Sequence, residues 1–300
     1  SGPGVPVIHP HNIQEVAMSK RLEDIPDDLQ TMFDFGVESP DPENVDRFLT
    51  DIKEAVLRSI SESGSRPSHL RMSNIGKPDR QLWYDIRDGK PDSSMSYSLR
   101  IKFLMGHVME AITLFLIREA GHTVEDEQKE MEIDGVKGHM DARIDGVITD
   151  VKTASRFGFR KFDSAETLTA DDPFGYIGQI SAYAQSHDEK RAAFLAINKE
   201  SGEINICTVS DNHMINAEER IRDAKQFLDS DTPPPPCHNP VPEGKSGNLG
   251  LAKGCSWCDH KFKCWSHVNG GNGLRGFRYS NGIKYLTHVV NTPNVEEVTR

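Results

Sequence analysis

The stretch that decides the fold is residues 138–153, Gly-His-Met-Asp-Ala-Arg-Ile-Asp-Gly-Val-Ile-Thr-Asp-Val-Lys-Thr. Asp145-Gly146, near its middle, is a strong signal for a tight β-hairpin turn. We therefore predict two paired strands, at 137–144 and 147–153.

The second predicted strand carries reactive side chains. Because positions i and i+2 of a strand share one face, Asp150 and Lys152 point together while Val151 turns away. Asp141 adds a second carboxylate from the paired strand, and Gly138 would let the backbone pass close to the site. Carboxylate oxygens bind hard cations, and an ammonium group steadies an attacking water or the charge developing on phosphorus. This set predicts metal-assisted hydrolysis of a phosphodiester, the reaction of a nuclease.

The elements predicted around the hairpin form one mixed α/β unit. Helices are predicted at Pro42 to Ile60, Tyr97 to Ala120, Asp172 to Ser186 and Asn212 to Leu228. Further strands are predicted at 123–133, 192–198 and 204–209. In the long helix from Tyr97, Gly121 closes the end, and the core-facing residues are expected to be Leu104, Val108, Ala111, Ile112 and Phe115. From Tyr97 onward the order αβββαββα indicates a mixed sheet rather than a doubly wound one.

Two polar residues interrupt the apolar stripe of this long helix, in Gly106-His107-Val108-Met109-Glu110. His107 and Glu110 are three residues apart and are therefore neighbours on one helix face. A packed or solvated histidine is the ordinary alternative. Since Gly106 would permit close approach, we expect one of the two side chains to reach the metal.

Four motifs together resemble a known family. Gly-His-x-x-Glu at 106–110, Gly-His-x-Asp at 138–141, Asp-x-Lys at 150–152 and Gln-x-x-x-Tyr at 179–183 resemble the PD-(D/E)XK nuclease superfamily, and within it the RecB-like branch. The resemblance runs from about Ser73 to Trp265. It implies a restriction-endonuclease-like core, in which helices flank a central mixed β-sheet.

The resemblance also implies a ligand set for one or two Mg²⁺ or Mn²⁺ ions. Asp141 and Asp150 would be ligands, the Val151 carbonyl would add another, and His107 or Glu110 would complete the coordination.

The remaining motif residues receive roles in the same way. Lys152 would be the catalytic lysine, and Gln179 and Tyr183 would contact or orient DNA. The expected activity is that of a DNA exonuclease acting on single strands or ends. A structure-selective endonuclease and a non-catalytic DNA-binding or recombination-assembly module are the alternatives.

A second group of residues suits contact with DNA. Three cations alternate with three phenylalanines after the Asp-x-Lys strand: Arg156, Phe157, Phe159, Arg160, Lys161 and Phe162. This pattern is typical of phosphate contact combined with base stacking, although a solvated loop is an equal alternative. The net charge of −11 argues mildly against a non-specific nucleic-acid coat.

The cysteines predict a second ion site. Four of the five lie between residues 237 and 264, and such clustering without a secretion signal favours a metal over disulfides. Cys255-x-x-Cys258-x5-Cys264 resembles iron–sulfur members of the same branch, which take a fourth cysteine from upstream of the core. The similar upstream segment, 73–84, has no cysteine, so Cys237 is the best replacement.

The nature of this ion stays open between two alternatives. A [4Fe–4S] cluster is favoured by the resemblance, and tetrahedral zinc, with His238, His260 or His267 as substitute ligands, is the other. Cys207 is expected to be a buried strand thiol. Either ion would tie the C-terminal segment to the core.

The chain divides into three predicted parts. Residues 1–41, rich in Pro, Asp and Glu, are expected to be a loosely docked arm; residues 42–232 form the nuclease core, and 233–300 form the Cys-rich segment with a final hairpin turning at Asn281-Gly282. Residues 276–282 also resemble tails of phage exonucleases.

The expected location follows from features that the sequence lacks. It has no long apolar run and no signal-peptide pattern, so we expect an intracellular protein, in the host cytoplasm if phage-encoded. No Gly-rich Lys-Ser/Thr loop is present, so a helicase or recombinase partner would be a separate chain.

Overall fold

The computed structural model describes residues 20–61, 68–88 and 96–298. Its helices, in chain order, are α1 (Ile25–Phe35), α2 (Pro42–Ser61), α3 (Asp79–Arg87), α4 (Tyr97–Glu119), α5 (Arg156–Phe159), α6 (Ala165–Ala170), α7 (Tyr176–Gln185), α8 (Ala217–Leu228), α9 (Lys253–Ser256), α10 (Lys261–Cys264) and α11 (Val268–Gly271). Its strands are β1 (Val124–Glu125), β2 (Glu130–Ile133), β3 (Val136–His139), β4 (Ala142–Ile144), β5 (Val147–Ala154), β6 (Arg191–Asn198), β7 (Ile204–Ser210), β8 (Val241–Pro242), β9 (Leu249–Gly250), β10 (Arg275–Tyr279), β11 (Gly282–His288) and β12 (Glu297–Val298).

A five-stranded mixed sheet forms the centre, in the order β1-β4-β5-β6-β7. Only the β5–β6 pair is parallel, and the other pairs are antiparallel. The predicted mixed α/β unit is therefore confirmed. β5 lies in the middle of the sheet, and its residues 148–151 are buried on both faces.

Helices cover both faces of this sheet. On one face, Ile148 of β5 packs with Ile177 and Ile180 of α7 and Ile221 of α8. On the other face, Val151 packs in a cluster that includes residues of α1 and α4. The alternation of Ile148 and Val151 is that of a strand with helices on both sides.

The described part of the predicted N-terminal arm is packed into the core and is not loosely docked. Leu22, Ile25 and Leu29 are buried in the second cluster, so α1 is an integral part of the core. Residues 1–19 lie outside the described residues. Leu22, Ile25, Leu29 and Met32 recur at helical spacing, but the many acidic residues of the stretch hid this pattern.

The long helix has the predicted bounds but a shifted core face. Its buried apolar residues are Ala111, Leu114 and Ile117. Phe115, expected in the core, instead lies against α2, where its ring centroid is 5.0 Å from that of Phe48. α4 therefore packs against both the sheet and α2. Gly121 ends the helix with φ of 89°.

Two predicted strands are each divided into two. The stretch 123–133 contains β1, which belongs to the central sheet, and β2, which pairs with β3 in a separate ribbon. Likewise 137–144 contains β3 and β4. Positive φ at Asp126 and Gln128 breaks the first stretch. The turn between β4 and β5 is as predicted, with φ of 48° at Asp145 and 81° at Gly146.

A second sheet, ordered β12-β10-β11-β9-β8, carries the C-terminal hairpin. Tyr279 pairs with Gly282, so the two turn residues are Ser280 and Asn281, one position earlier than predicted. Among the described helices, none has the length and apolar character needed to cross a membrane.

Candidate active site

Asp150 and Lys152 form the centre of the site. Both project from β5 to the same side, and Lys152 Nζ lies 2.5 Å from Asp150 Oδ2. Asp150 is 1% exposed, while the Lys152 side chain is 22% exposed. The pair is thus a buried carboxylate whose cationic partner opens to solvent.

Asp141 lies directly beside this pair. It precedes β4, whose first residue, Ala142, pairs with Thr149, and the Val151 amide donates a hydrogen bond of 2.7 Å to Asp141 Oδ2. The hairpin register therefore brings the Asp141 carboxylate, just before β4, against β5, which carries Asp150, as the motif spacing predicts. The side chain of Val151 faces the core.

Glu110 joins the site from α4 through a residue that sequence reasoning missed. Gln128 Nε2 donates to Glu110 Oε1 at 3.2 Å and to Asp141 Oδ1 at 3.5 Å. Gln128 has φ of 53°, so its side chain is directed by an unusual backbone conformation. No pattern in the sequence marks such a residue.

The three carboxylates repel one another. Burial, followed by the charges of Asp150 and Glu110, holds the pKa of Asp141 well above its usual range. Burial also raises the pKa of Asp150, although Lys152 opposes this effect. For Lys152, burial alone would lower the pKa, but the charges of Asp150 and Asp141 outweigh it and raise the pKa. Lys152 is therefore protonated at neutral pH.

His107 lies at the rim of the site. Its side chain is 52% exposed, and Nδ1 is 3.9 Å from Glu110 Oε2. A groove runs past His107, Glu110 and Asp141, and the α2 residues that line it are Arg47, Asp51, Glu54, Ala55 and Arg58. These arginines are further residues that the motifs did not indicate.

Gln179 and Tyr183 support the site from behind. Gln179 Nε2 donates to Asp150 Oδ1 and to Tyr183 Oη, both at 2.9 Å. Gln179 is 7% exposed and Tyr183 is 2% exposed, which does not fit the expected contact with DNA. Their hydrogen bonds instead fix the orientation of the Asp150 carboxylate.

The start of α7 is set by close backbone contact. Gly175 has φ of 78°, and a Cβ there would lie 2.2 Å from the Gly76 carbonyl carbon. Asp172 accepts hydrogen bonds of 2.8 Å from the amides of Tyr176 and Ile177, which satisfies the helix N-terminus. These contacts position Gln179 one turn further along.

The two motif glycines do not have the expected roles. A Cβ at Gly138 would lie 2.8 Å from Met72, so this glycine permits packing of the β2–β3 ribbon rather than access to the site. A Cβ at Gly106 would be 3.5 Å from Thr153 Oγ1, an ordinary contact.

The donor chemistry fits a hard divalent cation. Among the described residues, no three His, Cys, Asp or Glu side chains are grouped so that they enclose a metal ion. However, Glu110, Asp141 and Asp150 offer oxygen ligands, and their mutual repulsion is what a bound cation would relieve. Burial makes the largest contribution to the raised pKa of Asp141, and the charges of Asp150 and Glu110 add to it.

The predicted DNA-contact segment is only partly at the surface. Phe162 is 2% exposed and belongs to the core, and Phe159 packs against the same cluster. Lys161 pairs with Asp171 at 3.0 Å. The exposed members are Phe157, Arg156 and Arg160.

The four clustered cysteines line one cavity. Cys237, Cys255, Cys258 and Cys264 border it together with His238, His260 and Arg80, and all five cysteines of the chain are free thiols. Burial raises the pKa of Cys258 to about 11, so this thiol is protonated unless an ion stabilises the thiolate. Cys207 is buried in β7, as predicted.

α3 holds the cysteine cavity against the core. His260 Nε2 lies 2.7 Å from Asp85 Oδ1, and its ring stacks on Tyr84 at 5.3 Å. Arg80 donates to the Pro234 carbonyl at 2.9 Å. With Nε2 engaged, His260 has only Nδ1 left to bind an ion.

Comparisons with known proteins give weak similarities. No protein-family model and no curated protein matches the chain. Among solved structures, SSO0001 is 12% identical, with 70% of this chain and 91% of that chain covered and a TM-score of 0.38. The alkaline exonuclease LHK-Exo from Laribacter hongkongensis is 14% identical, with coverages of 52% and 89% and a TM-score of 0.33.

A third solved structure, the phage-related exonuclease from Haemophilus somnus 129PT, is 16% identical, with coverages of 55% and 95% and a TM-score of 0.38. Since all these TM-scores are below 0.5, the similarities assign no activity to the chain.

Proposed function

We propose that the chain is a metal-dependent deoxyribonuclease, an exonuclease acting on single-stranded DNA or DNA ends. The observation that supports this is the buried Asp150 carboxylate, held between Lys152 and Gln179 with Asp141 and Glu110 alongside. Carboxylates are seldom concentrated in this way without an ion or a reaction to serve. The biological setting we propose is phage-type DNA recombination, replication or degradation.

The carboxylates would hold one or two Mg²⁺ or Mn²⁺ ions, with His107 and the Val151 carbonyl as further ligands. A bound cation would polarise the scissile phosphate and stabilise the charge that develops on it. Lys152 donates hydrogen bonds to the attacking water or to a phosphate oxygen. Because its pKa is raised, Lys152 is a donor in this scheme and does not accept the proton of the water.

The test is digestion of end-labelled DNA by the wild type and Lys152→Ala, with Mg²⁺ or Mn²⁺. Loss of one preorganised donor is expected to slow cleavage by about 100-fold or more. Lys137→Ala is the matched control, because Lys137 also pairs with a carboxylate, Glu130 at 2.7 Å, but lies outside the site.

Circular single-stranded DNA distinguishes the two modes of cleavage, since an exonuclease leaves it intact. Folded wild type that cuts no substrate with either metal would contradict the proposal. So would Lys152→Ala cutting at the wild-type rate.

We further propose that Cys237, Cys255, Cys258 and Cys264 hold a [4Fe–4S] cluster, with zinc as the alternative. Burial, with a contribution from neighbouring cysteines, raises the pKa of Cys255 and Cys258, a cost that a bound cation offsets. Anaerobically purified protein that is brown indicates the cluster. Colourless protein with one equivalent of zinc indicates the alternative, and protein with neither contradicts an ion at this place.

A further inference from the structure

A second groove runs between the segment that follows β5 and the Cys-rich segment. One wall carries Phe157, Arg160 and Phe174, and the opposite wall carries Lys253 and Trp257. The three aromatic side chains are largely open to solvent: Phe157 is 82% exposed, Phe174 is 54% exposed and Trp257 is 79% exposed. Large rings concentrated at one exposed place usually mark a binding surface.

The charge of this groove differs from that of the whole chain. Three cationic and two acidic side chains line it, whereas the chain carries a net charge of −11. Asp172 is occupied in capping α7, and Asp171 is paired with Lys161 at 3.0 Å. Lys253 Nζ also lies 3.5 Å from Asp171 Oδ2, but its side chain is 78% exposed. Lys253 and the exposed Arg160 are the cations that a passing anion would meet.

Two contacts through the Tyr176 ring connect Phe174 of the groove to the proposed active site. The ring of Phe174 lies 5.5 Å from that of Tyr176, and the Tyr176 ring lies 5.3 Å from Lys152 Nζ. A polymer seated along the groove would thus be led from Trp257, past Phe174, to the lysine.

We propose that this groove binds single-stranded DNA, with bases stacked on Phe157, Phe174 and Trp257 and phosphates contacted by Arg160 and Lys253. This inference rests on the proposed function and names the substrate strand of that site. Exposed rings alternating with cations bind unpaired bases, whose faces are open to stacking. A duplex keeps those faces covered, so the groove selects single strands. The Cys-rich segment, in this view, forms one wall of the substrate channel.

Tryptophan fluorescence provides a direct test. Trp257 is the one exposed tryptophan of the three, since Trp83 is 7% exposed and Trp265 is 6% exposed. The full chain carrying Lys152→Ala is titrated with oligo(dT) of about 12 nucleotides, within the usual site size. We expect the oligonucleotide to quench the fluorescence, and the added substitution Trp257→Ala to remove the quenched component.

Affinity is measured in parallel by anisotropy of a labelled oligonucleotide. Trp257→Ala and Phe157→Ala are each expected to weaken binding by about 10-fold, through loss of one stacked base. Phe35→Ala is the matched control, because Phe35 is 86% exposed but does not line the groove. This variant should bind the oligonucleotide as tightly as the parent.

Two results overturn the inference: Trp257→Ala and Phe157→Ala binding as tightly as the parent, or an equal loss of affinity for a blunt duplex. Cleavage is scored separately in the Lys152 wild-type background. If nothing is cut but the two substitutions weaken single-strand binding, the groove stands and the nuclease proposal fails. If DNA is cut but binding is unaffected, the groove assignment fails alone.

Discussion

The two proposed ion sites are built from opposite kinds of structure. The carboxylate site takes Glu110 from a long helix, Asp150 from β5 of the central sheet and Asp141 from the position just before β4. The cysteines of the second site lie within residues 237–264, where the helices α9 and α10 have four residues each, and α3 borders the cavity that they line. The carboxylate site is built on long elements of the central fold, whereas the cysteines lie on short helices and loops.

The apolar core beneath the carboxylate site is also much larger than the one beneath the cysteine site. Both faces of β5 are covered by extensive apolar clusters, whereas the buried cluster of the Cys-rich segment consists of Leu251, Cys255 and Trp265. Segments with so little buried apolar surface commonly depend on a metal or a disulfide for stability. We infer that the carboxylate site exists before its ion binds, and that the cysteine site depends on its ion.

The largest effect is therefore expected in the cysteine cavity. Cys258→Ser should abolish binding of the ion. It should also destabilise the segment by several kcal/mol, since a structural zinc contributes on the order of 10 kcal/mol in small domains. Metal analysis and limited proteolysis within residues 237–274 measure the two consequences. The central sheet, with its own core, should remain protected.

Cys207→Ala is the control for this experiment. Cys207 is a buried thiol of β7, and its loss should leave the ion content unchanged. If Cys258→Ser keeps both the ion and the protease resistance, the inferred dependence of this segment on its ion is wrong.

The same contrast explains what the sequence could and could not predict. The β4–β5 hairpin and the Asp150–Lys152 pair follow from local rules, a turn dipeptide and a two-residue period, and the structure confirms both. Gln128 and Arg47 were missed because their places depend on a left-handed backbone and on helix packing. Gln179 was predicted to contact or orient DNA, but motif spacing carries no information on burial, so its contact with Asp150 could not be predicted.

A smaller change in stability is expected on substitution of Asp141, and it is a gain, whereas Cys258→Ser should cause a loss. A carboxyl group whose pKa is raised on folding binds its proton more tightly in the folded chain, so stability falls as the pH rises above about 4, the unfolded value. Asp141→Asn removes this charge and retains an oxygen to accept from Val151. Without added divalent metal at neutral pH, we expect the free energy of unfolding to rise by about 1 kcal/mol, while cleavage is lost.

Urea denaturation between pH 5 and pH 8 measures this effect, and the gain over wild type should grow with pH until Asp141 is fully ionised. Asp223→Asn, an exposed carboxylate of α8, is the control and should leave stability nearly unchanged. A loss of stability in Asp141→Asn at neutral pH would contradict the raised pKa of Asp141, because it would mean that the ionised carboxylate stabilises the fold.

The smallest effect, a modest loss of kcat, is expected on substitution of Tyr183. It tests whether the carboxylate site is preformed. Tyr183→Phe removes the hydroxyl that accepts from Gln179 Nε2 at 2.9 Å and leaves that buried donor with one partner. The cost of about 1 kcal/mol loosens the orientation of Asp150 and should lower kcat about fivefold. KM for DNA should stay unchanged, because a side chain that is 2% exposed does not reach the substrate.

Steady-state kinetics on single-stranded DNA separate this positioning role from direct contact. Tyr285→Phe, on β11 of the second sheet, is the control and should alter neither constant. A raised KM with an unchanged kcat in Tyr183→Phe would restore the DNA contact implied by the motif. It would also require α7 to move during binding, since the Tyr183 hydroxyl is now turned inward to Gln179, and the carboxylate site could then no longer be regarded as rigid.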